Sequence, residues 1–252
     1  VRRTKLIATL GPATDAPGVL DDLVAAGLDV ARLNTAHGTR EDLERRLAAV
    51  RAAADRAGRH VAVMLDLGGA KMRIGEVAEG TVLEPGAAFE LRTAPEARTS
   101  GDERGVWVSH PGIAEDVAPG NRVLLDDGRI ELVVVACEDG VVRTRVEAGG
   151  PLASHKGVNV PGVTLSVEAI TAADLDALDW GLRAGVDLVA QSFVRAAEDV
   201  ARLREAMGAD PLPIVAKIEK HEAVGALAGI VDAADAVMVA RGDLGVEVSP
   251  EA

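Results

Sequence analysis

Short apolar runs alternate along this chain with helix-period patterns, and that alternation commits it to a largely parallel sheet flanked by helices. Lys5 to Leu10, Val30 to Leu33 and Val61 to Leu65 are near-continuous apolar runs, as strands buried on both faces require. Between them Leu20, Leu23, Val24 and Gly27, then Leu43, Leu47, Val50 and Ala54, recur at the spacing of one apolar helix face. Asp15 and Gly27 are expected to cap the first helix, and Thr39 and Gly58 the second. After Pro161 the pattern resumes with a helix from Thr171 through Leu175, Leu178 and Leu182 to Gly185, then a strand Leu188 to Phe193 and a helix through Val200, Leu203 and Met207. A strand Ile214 to Glu219, a helix through Val224, Leu227 and Ile230, and a strand Ala236 to Ala240 follow. That makes six parallel-type strands, where a closed barrel of this kind has eight.

The period changes between Gly75 and Ser154. There apolar and polar residues alternate one by one, and Asp127-Gly128 and Asp139-Gly140 fall where hairpin turns would be. The expected organisation is α/β: a partial TIM-type (β/α) barrel, six of eight strands, over residues 1–74 and 155–252, with a small, mostly antiparallel β domain inserted at 75–154.

Composition narrows the partners. The 252 residues are 48% hydrophobic, enough for a buried core, and carry a formal net charge of −13, which repels nucleic acid and anionic membranes. A phosphate-bearing ligand therefore needs a local basic cluster. The single cysteine, Cys137, leaves no internal disulfide framework. No apolar run is long enough to span a bilayer, and Val1 to Lys5 lack the hydrophobic stretch of a secretory signal, so the cytoplasm is the expected compartment.

Charged residues gather where the apolar runs end. In Ile214 to Glu222 the residues Lys217 and Glu219 lie two apart, hence on one face of a strand, opposite Ala216 and Ile218. A lysine and a carboxylate at the end of a buried strand are costly unless they are paired or bind something. Met238 to Gly245 likewise runs from an apolar stretch into Arg241-Gly242-Asp243. Glu219 and Asp243 thus offer two carboxylates at the rim where barrel enzymes keep their sites, a donor set suited to Mg²⁺ or Mn²⁺ completed by substrate and water. Gly242 lets backbone N–H groups approach an anion. Arg32, in Val30 to Gly38, and Arg73, in Met64 to Arg73, add forks of donors matched to phosphate oxygens. His37 lies in the first of these loops.

Five stretches in register resemble the pyruvate kinase family: Arg3 to Ala13, Ala31 to Asn34 with His37-Gly38, Lys156 to Gly162, Lys217 to Glu219, and Met238 to Gly245. The resemblance covers nearly the whole chain, and the insertion falls where that family carries its lid. It implies a Mg²⁺- or Mn²⁺-dependent transfer of the phosphoryl group of phosphoenolpyruvate to ADP, giving pyruvate and ATP. By that resemblance Lys217 and Arg32 are catalytic, and Arg32, Lys217, Gly242 and Asp243 bind the substrate. Glu219 and Asp243 hold the divalent ion, Arg73, Lys156 and His37 serve the nucleotide, and Asn34, Asp66 and Lys71 mark the monovalent-cation region. The sequence departs from the family at Ala36 and Leu67, where serine and threonine are usual, and at Lys71, where glutamate is usual. These departures resemble the family's potassium-independent branch, so potassium is not expected to be required. The expected partners are phosphoenolpyruvate or pyruvate, ADP or ATP, and further copies of the full-length chain. Two other readings of the same rim stay open: a barrel lyase acting on phosphoenolpyruvate or pyruvate, and a non-catalytic remnant that binds a partner or self-associates.

Overall fold

The computed structural model describes residues 3–248. Strand β1 (Ile7–Thr9) and a 3₁₀ turn (Pro12–Thr14) lead into helix α1 (Val19–Ala25), strand β2 (Val30–Asn34), helix α2 (Arg40–Ala57) and strand β3 (Ala62–Leu67). Between β3 and the next long helix come β4 (Val82–Leu83), β5 (Ala88–Arg92), β6 (Gly105–Trp107), helix α3 (Ile113–Asp116), β7 (Arg122–Leu125), β8 (Ile130–Glu138), β9 (Val141–Ala148), β10 (Gly150–Pro151) and β11 (Val158–Asn159). The α/β alternation then returns as α4 (Ala172–Ala184), β12 (Leu188–Gln191), α5 (Ala197–Ala206), β13 (Ile214–Ile218), α6 (His221–Gly225), α7 (Leu227–Ala233), β14 (Ala236–Val239) and α8 (Arg241–Glu247). The residues group into two compact units, one formed by Val1–Gly69, Ala169–Ile218 and Ala226–Met238, the other by Ala70–Glu168, Glu219–Gly225 and Val239–Ala252.

In the first unit a six-stranded sheet of order β1-β2-β3-β12-β13-β14 forms the partial TIM-type barrel, with parallel pairing from β1 through β13. The inner strands β3 and β13 are covered on both faces, with Val63, Met64 and Leu65 fully buried and every residue of β13 buried, whereas β1 and β14, expected to be buried as well, leave Ile7 and Val239 51% and 59% exposed. Helix α2 starts at Thr39, whose hydroxyl accepts from the Asp42 N–H while Asp42 reaches back to the Thr39 N–H, and it ends at the left-handed Gly58. Helix α4 repeats the device with Thr171, Asp174 and Gly185. Gly181 is required there, since a Cβ would meet the Leu65 Cδ2 at 2.6 Å, where α4 lies against β3.

Two expectations are corrected. Asp15 does not cap α1; that helix starts after Gly18, whose φ of +85° suits glycine, and Asp15 instead takes a bidentate pair of hydrogen bonds from the buried Arg46 of α2 at 2.9 and 2.7 Å. The helix expected through Val224, Leu227 and Ile230 is two, α6 and α7, separated at Ala226, where φ −98° and ψ 10° leave the helical basin. The guanidinium of Arg46, helped by Arg45, holds the Asp15 carboxyl down at about 2, from an ordinary 3.8. A depressed folded pKa stabilises above the unfolded value and loses that contribution as pH falls through the folded one. Arg46→Met should therefore cost about 1–2 kcal/mol near neutral pH. The gap from wild type should narrow between about pH 4 and pH 2, as read by urea unfolding across that range.

The second unit carries the lid. Its six-stranded mixed sheet has the order β11-β7-β8-β9-β5-β6, antiparallel except for β5 with β6. Alternate residues of β8 and β9, among them Ile130, Leu132, Val134, Val142 and Val146, join Phe89, Leu91 and Leu125 in a separate core. Both Asp-Gly turns occur where expected, with positive φ at Asp127, Gly128, Asp139 and Gly140. Among the described residues no helix is long and apolar enough to cross a membrane.

Candidate active site

The pairing register decides which side chains meet in the first unit. Asn34 lies across from Asp66, Asp66 from Ala190, and Ala190 from Val215, so these positions and those two residues away along each strand share one face of the sheet. On that face Met64, Ala190 and Val215 form an apolar cluster, with Val30, Leu188 and Met238 packed against it. Towards the C-terminal ends of the strands the same face turns polar. Lys217, though buried, donates to the Ser192 hydroxyl at 2.7 Å and lies 3.4 Å from Oδ1 of Asp66. Arg32 donates through Nε to Oδ2 of Asp66 at 2.7 Å, with its second terminal nitrogen also on that oxygen, and through Nη1 to the Thr9 hydroxyl at 2.9 Å. Asp66, itself buried, thus bridges the two cations and fixes both.

Other residues singled out from sequence have local duties in this unit. The Asn34 side-chain oxygen accepts from the Ala36 N–H at 2.9 Å, closing the turn that leads to the exposed His37. Thr35 donates to the Asp66 carbonyl at 3.0 Å and accepts from the Gly68 N–H at 2.9 Å, tying the ends of β2 and β3 together. Ser192, Thr9 and Thr35 were not legible as site residues. Only the register, which sets Ser192 one step beyond the Gln191–Ala216 pair and so opposite Lys217, reveals the first of them.

In the second unit Glu219 directly follows β13 and is buried, while Asp243 stands in the first turn of α8, where a carboxylate favours the helix dipole. The Lys71 ammonium lies 3.0 Å from Oδ1 of Asp243. A Cβ on Gly242 would meet no atom within 4 Å, so the backbone at the start of α8 is open to approach. Lys156 pairs with Asp126 at 2.8 Å, and Arg73 donates to the His155 carbonyl at 2.9 Å, beside the bridge between Arg73 and Gly157.

The chain matches the family described as pyruvate kinase, barrel domain, over residues 1–252. It belongs to the pyruvate kinase family. It is 42% identical over 251 residues to a pyruvate kinase of Methylorubrum extorquens, an alignment covering 99% of this chain and 52% of the relative. It is 45% identical over 254 residues to one of Corynebacterium efficiens (99% and 53%), and 44% identical over 255 residues to pyruvate kinase II of Salmonella typhimurium (98% and 53%). The chain spans about half the length of these pyruvate kinases.

Carboxylate oxygens are donors of the kind that Mg²⁺ and Mn²⁺ take. Among the described residues no group of three or more His, Cys, Asp or Glu side chains is placed to hold a metal ion. Glu219 and Asp243 offer such oxygens, and Asp243 is paired with the Lys71 ammonium at 3.0 Å.

Proposed function

We propose that the full-length protein containing this chain is a pyruvate kinase that moves the phosphoryl group of phosphoenolpyruvate to ADP. The observation that carries this reading is the buried Lys217 ammonium, held at the end of β13 by Ser192 and Asp66 and two residues before Glu219. Phosphoryl transfer needs little covalent help from a protein; it needs positioning and positive charge where negative charge develops.

Arg32, oriented by Asp66 and Thr9, grips the phosphate of phosphoenolpyruvate. Lys217 faces the oxygens of the phosphoryl group in flight and the enolate oxygen it leaves. The bond from that oxygen to phosphorus breaks as one forms to the terminal oxygen of ADP, and a proton added to the enolate carbon completes pyruvate. Glu219 and Asp243 would hold Mg²⁺ or Mn²⁺, which when bound supplies positive charge to the phosphoryl oxygens. The backbone at Gly242 and Asp243 receives the substrate carboxylate, while Arg73, Lys156 and His37 serve the nucleotide. For Lys156 this means exchanging its Asp126 partner for a phosphate.

Potassium is not needed in this scheme. Ala36 and Leu67 supply no side-chain oxygen to hold it, and Lys71 contributes a fixed unit charge on the metal-site carboxylate Asp243. The complete reading frame should form pyruvate from phosphoenolpyruvate, ADP and Mg²⁺ in a buffer whose only monovalent cation is a bulky organic amine. Added potassium should leave the rate unchanged, and Lys71→Ala should lower it by about two orders of magnitude, the scale of one transition-state charge contact. No pyruvate under either condition defeats the reading; pyruvate only with potassium defeats the role of Lys71.

A further inference from the structure

Glu247 and Lys220 take no part in the scheme above, yet they form a deeply enclosed ion pair in the second unit. The Lys220 ammonium lies 2.6 Å from Oε1 of Glu247, with side-chain exposures of 10% and 0%. The same oxygen accepts from the Asn159 side chain at 3.0 Å. Among the described residues Oε2 of Glu247 has no hydrogen-bond partner, although Nδ1 of His221 stands 3.5 Å away, and His221 in turn lies 3.0 Å from Glu222.

What this pair connects gives it meaning. Lys220 is the residue after Glu219. Glu247 is four residues after Asp243 on α8, one turn along the same helix face. A single buried contact therefore links the two segments that bear the proposed metal carboxylates, and Asn159 adds the strand β11 to the junction. Such a pair is a poor device for stability alone, since apolar residues of similar volume often replace a buried ion pair at no loss. An ion pair does differ from an apolar contact in one respect: it has a narrow range of acceptable distances and orientations, whereas apolar side chains can slide.

We propose that Lys220 and Glu247 are positioning residues, a buried strut that fixes the separation of Glu219 and Asp243 and so sets the affinity for the divalent ion. This rests on the assignment of those two carboxylates to the metal. Supporting contacts of this kind commonly change metal affinity by about 10–100-fold when removed.

The test is Mn²⁺ binding to the complete protein, followed by the loss of the free-ion electron paramagnetic resonance signal, with thermal unfolding recorded alongside. Lys220→Met should weaken Mn²⁺ binding by about tenfold or more. Lys220→Arg, which keeps the charge and the hydrogen bond, should bind within about threefold of wild type. The decisive variant is the double change Lys220→Met with Glu247→Leu, which should recover near-wild-type thermal stability and still bind Mn²⁺ weakly. It also keeps the test alive if Lys220→Met alone does not fold. A stable double variant with wild-type Mn²⁺ affinity reduces the pair to a structural contact and overturns the proposal. Glu219→Gln separates the two failures: weakened binding there alongside an unaffected double variant sinks only the strut. Unchanged binding in Glu219→Gln sinks the metal assignment and the strut with it.

Discussion

Lys217→Met in the complete protein should lower kcat for pyruvate formation by about a thousandfold, the upper range for removing one preorganised contact to developing charge. Methionine keeps the length and the apolar stem, so the apolar cluster on the same sheet face is little disturbed. What is lost is the ammonium. Asp66 retains Arg32 as its partner, so that carboxylate is not stranded, and the stability loss should stay within about 1–3 kcal/mol, the cost of hydrogen bonds to a charged group. Because Lys217 acts on charge that appears during transfer, KM for phosphoenolpyruvate should move much less than kcat. The opposite pattern belongs to Arg32, which meets a phosphate already charged in the ground state. Steady-state kinetics with circular dichroism melting reads both quantities, and a kcat within tenfold of wild type would remove Lys217 from the chemistry.

Glu219→Ala and Asp243→Ala should each weaken Mn²⁺ binding at least tenfold, since each takes one carboxylate from a site with few. The two will not behave alike. Asp243 shares its Oδ1 with Lys71, so an incoming ion must displace or tolerate an ammonium 3.0 Å away. Lys71→Met should accordingly bind Mn²⁺ about fivefold more tightly, an energy of about 1 kcal/mol suited to a pair that is one-third exposed. It should nevertheless turn over more slowly, because the charge it gave to the transfer is gone. Tighter metal with slower chemistry is a signature that unfolding or general damage does not produce. Isothermal titration with Mn²⁺ gives the affinities directly, and equal affinity in both alanine variants and wild type would detach these carboxylates from the metal.

The six strands were readable because each is a local apolar run closed by local punctuation, whereas their order in the sheet came from the structure. Thr39, Gly58, Thr171 and Gly185 terminate their helices through atoms within four residues of themselves, and such signals survive without a structure. Asp15 looked like a cap for the same reason. It is not one, because Arg46, 31 residues away, takes its carboxylate. The break between α6 and α7 left no trace in the apolar spacing, which runs smoothly across it. At the site, Lys217 and Arg32 could be chosen as charged residues on apolar runs, whereas Asp66 came only from the family resemblance, as part of a monovalent-cation region. That Asp66 bridges the other two depends on the register of three strands, and that Ser192 orients Lys217 depends on where β12 ends beside β13. Glu247 escaped notice because, in sequence, a glutamate at the end of a short helix resembles any solvated surface residue.

The splice between the two halves of the parallel sheet bears on the order in which the chain can fold as it is made. β3 and β12 are neighbours, and the Val63 N–H donates to the Asp187 carboxylate across 124 residues of sequence. Closing so long a loop of flexible chain is slow and entropically unfavourable. The intervening strands β7, β8 and β9 need no such wait, because tight turns join them and their pairing is local. The insertion can therefore collapse on its own core while β12 is still being synthesised. Its exit and return are then pinned to each other, since the Gly69 N–H donates to the Asp174 carboxylate at the start of α4 at 3.0 Å. An early-folding insertion turns a distant pairing partner into a near one, and the helix cap at Asp174 is where the two ends of the detour meet.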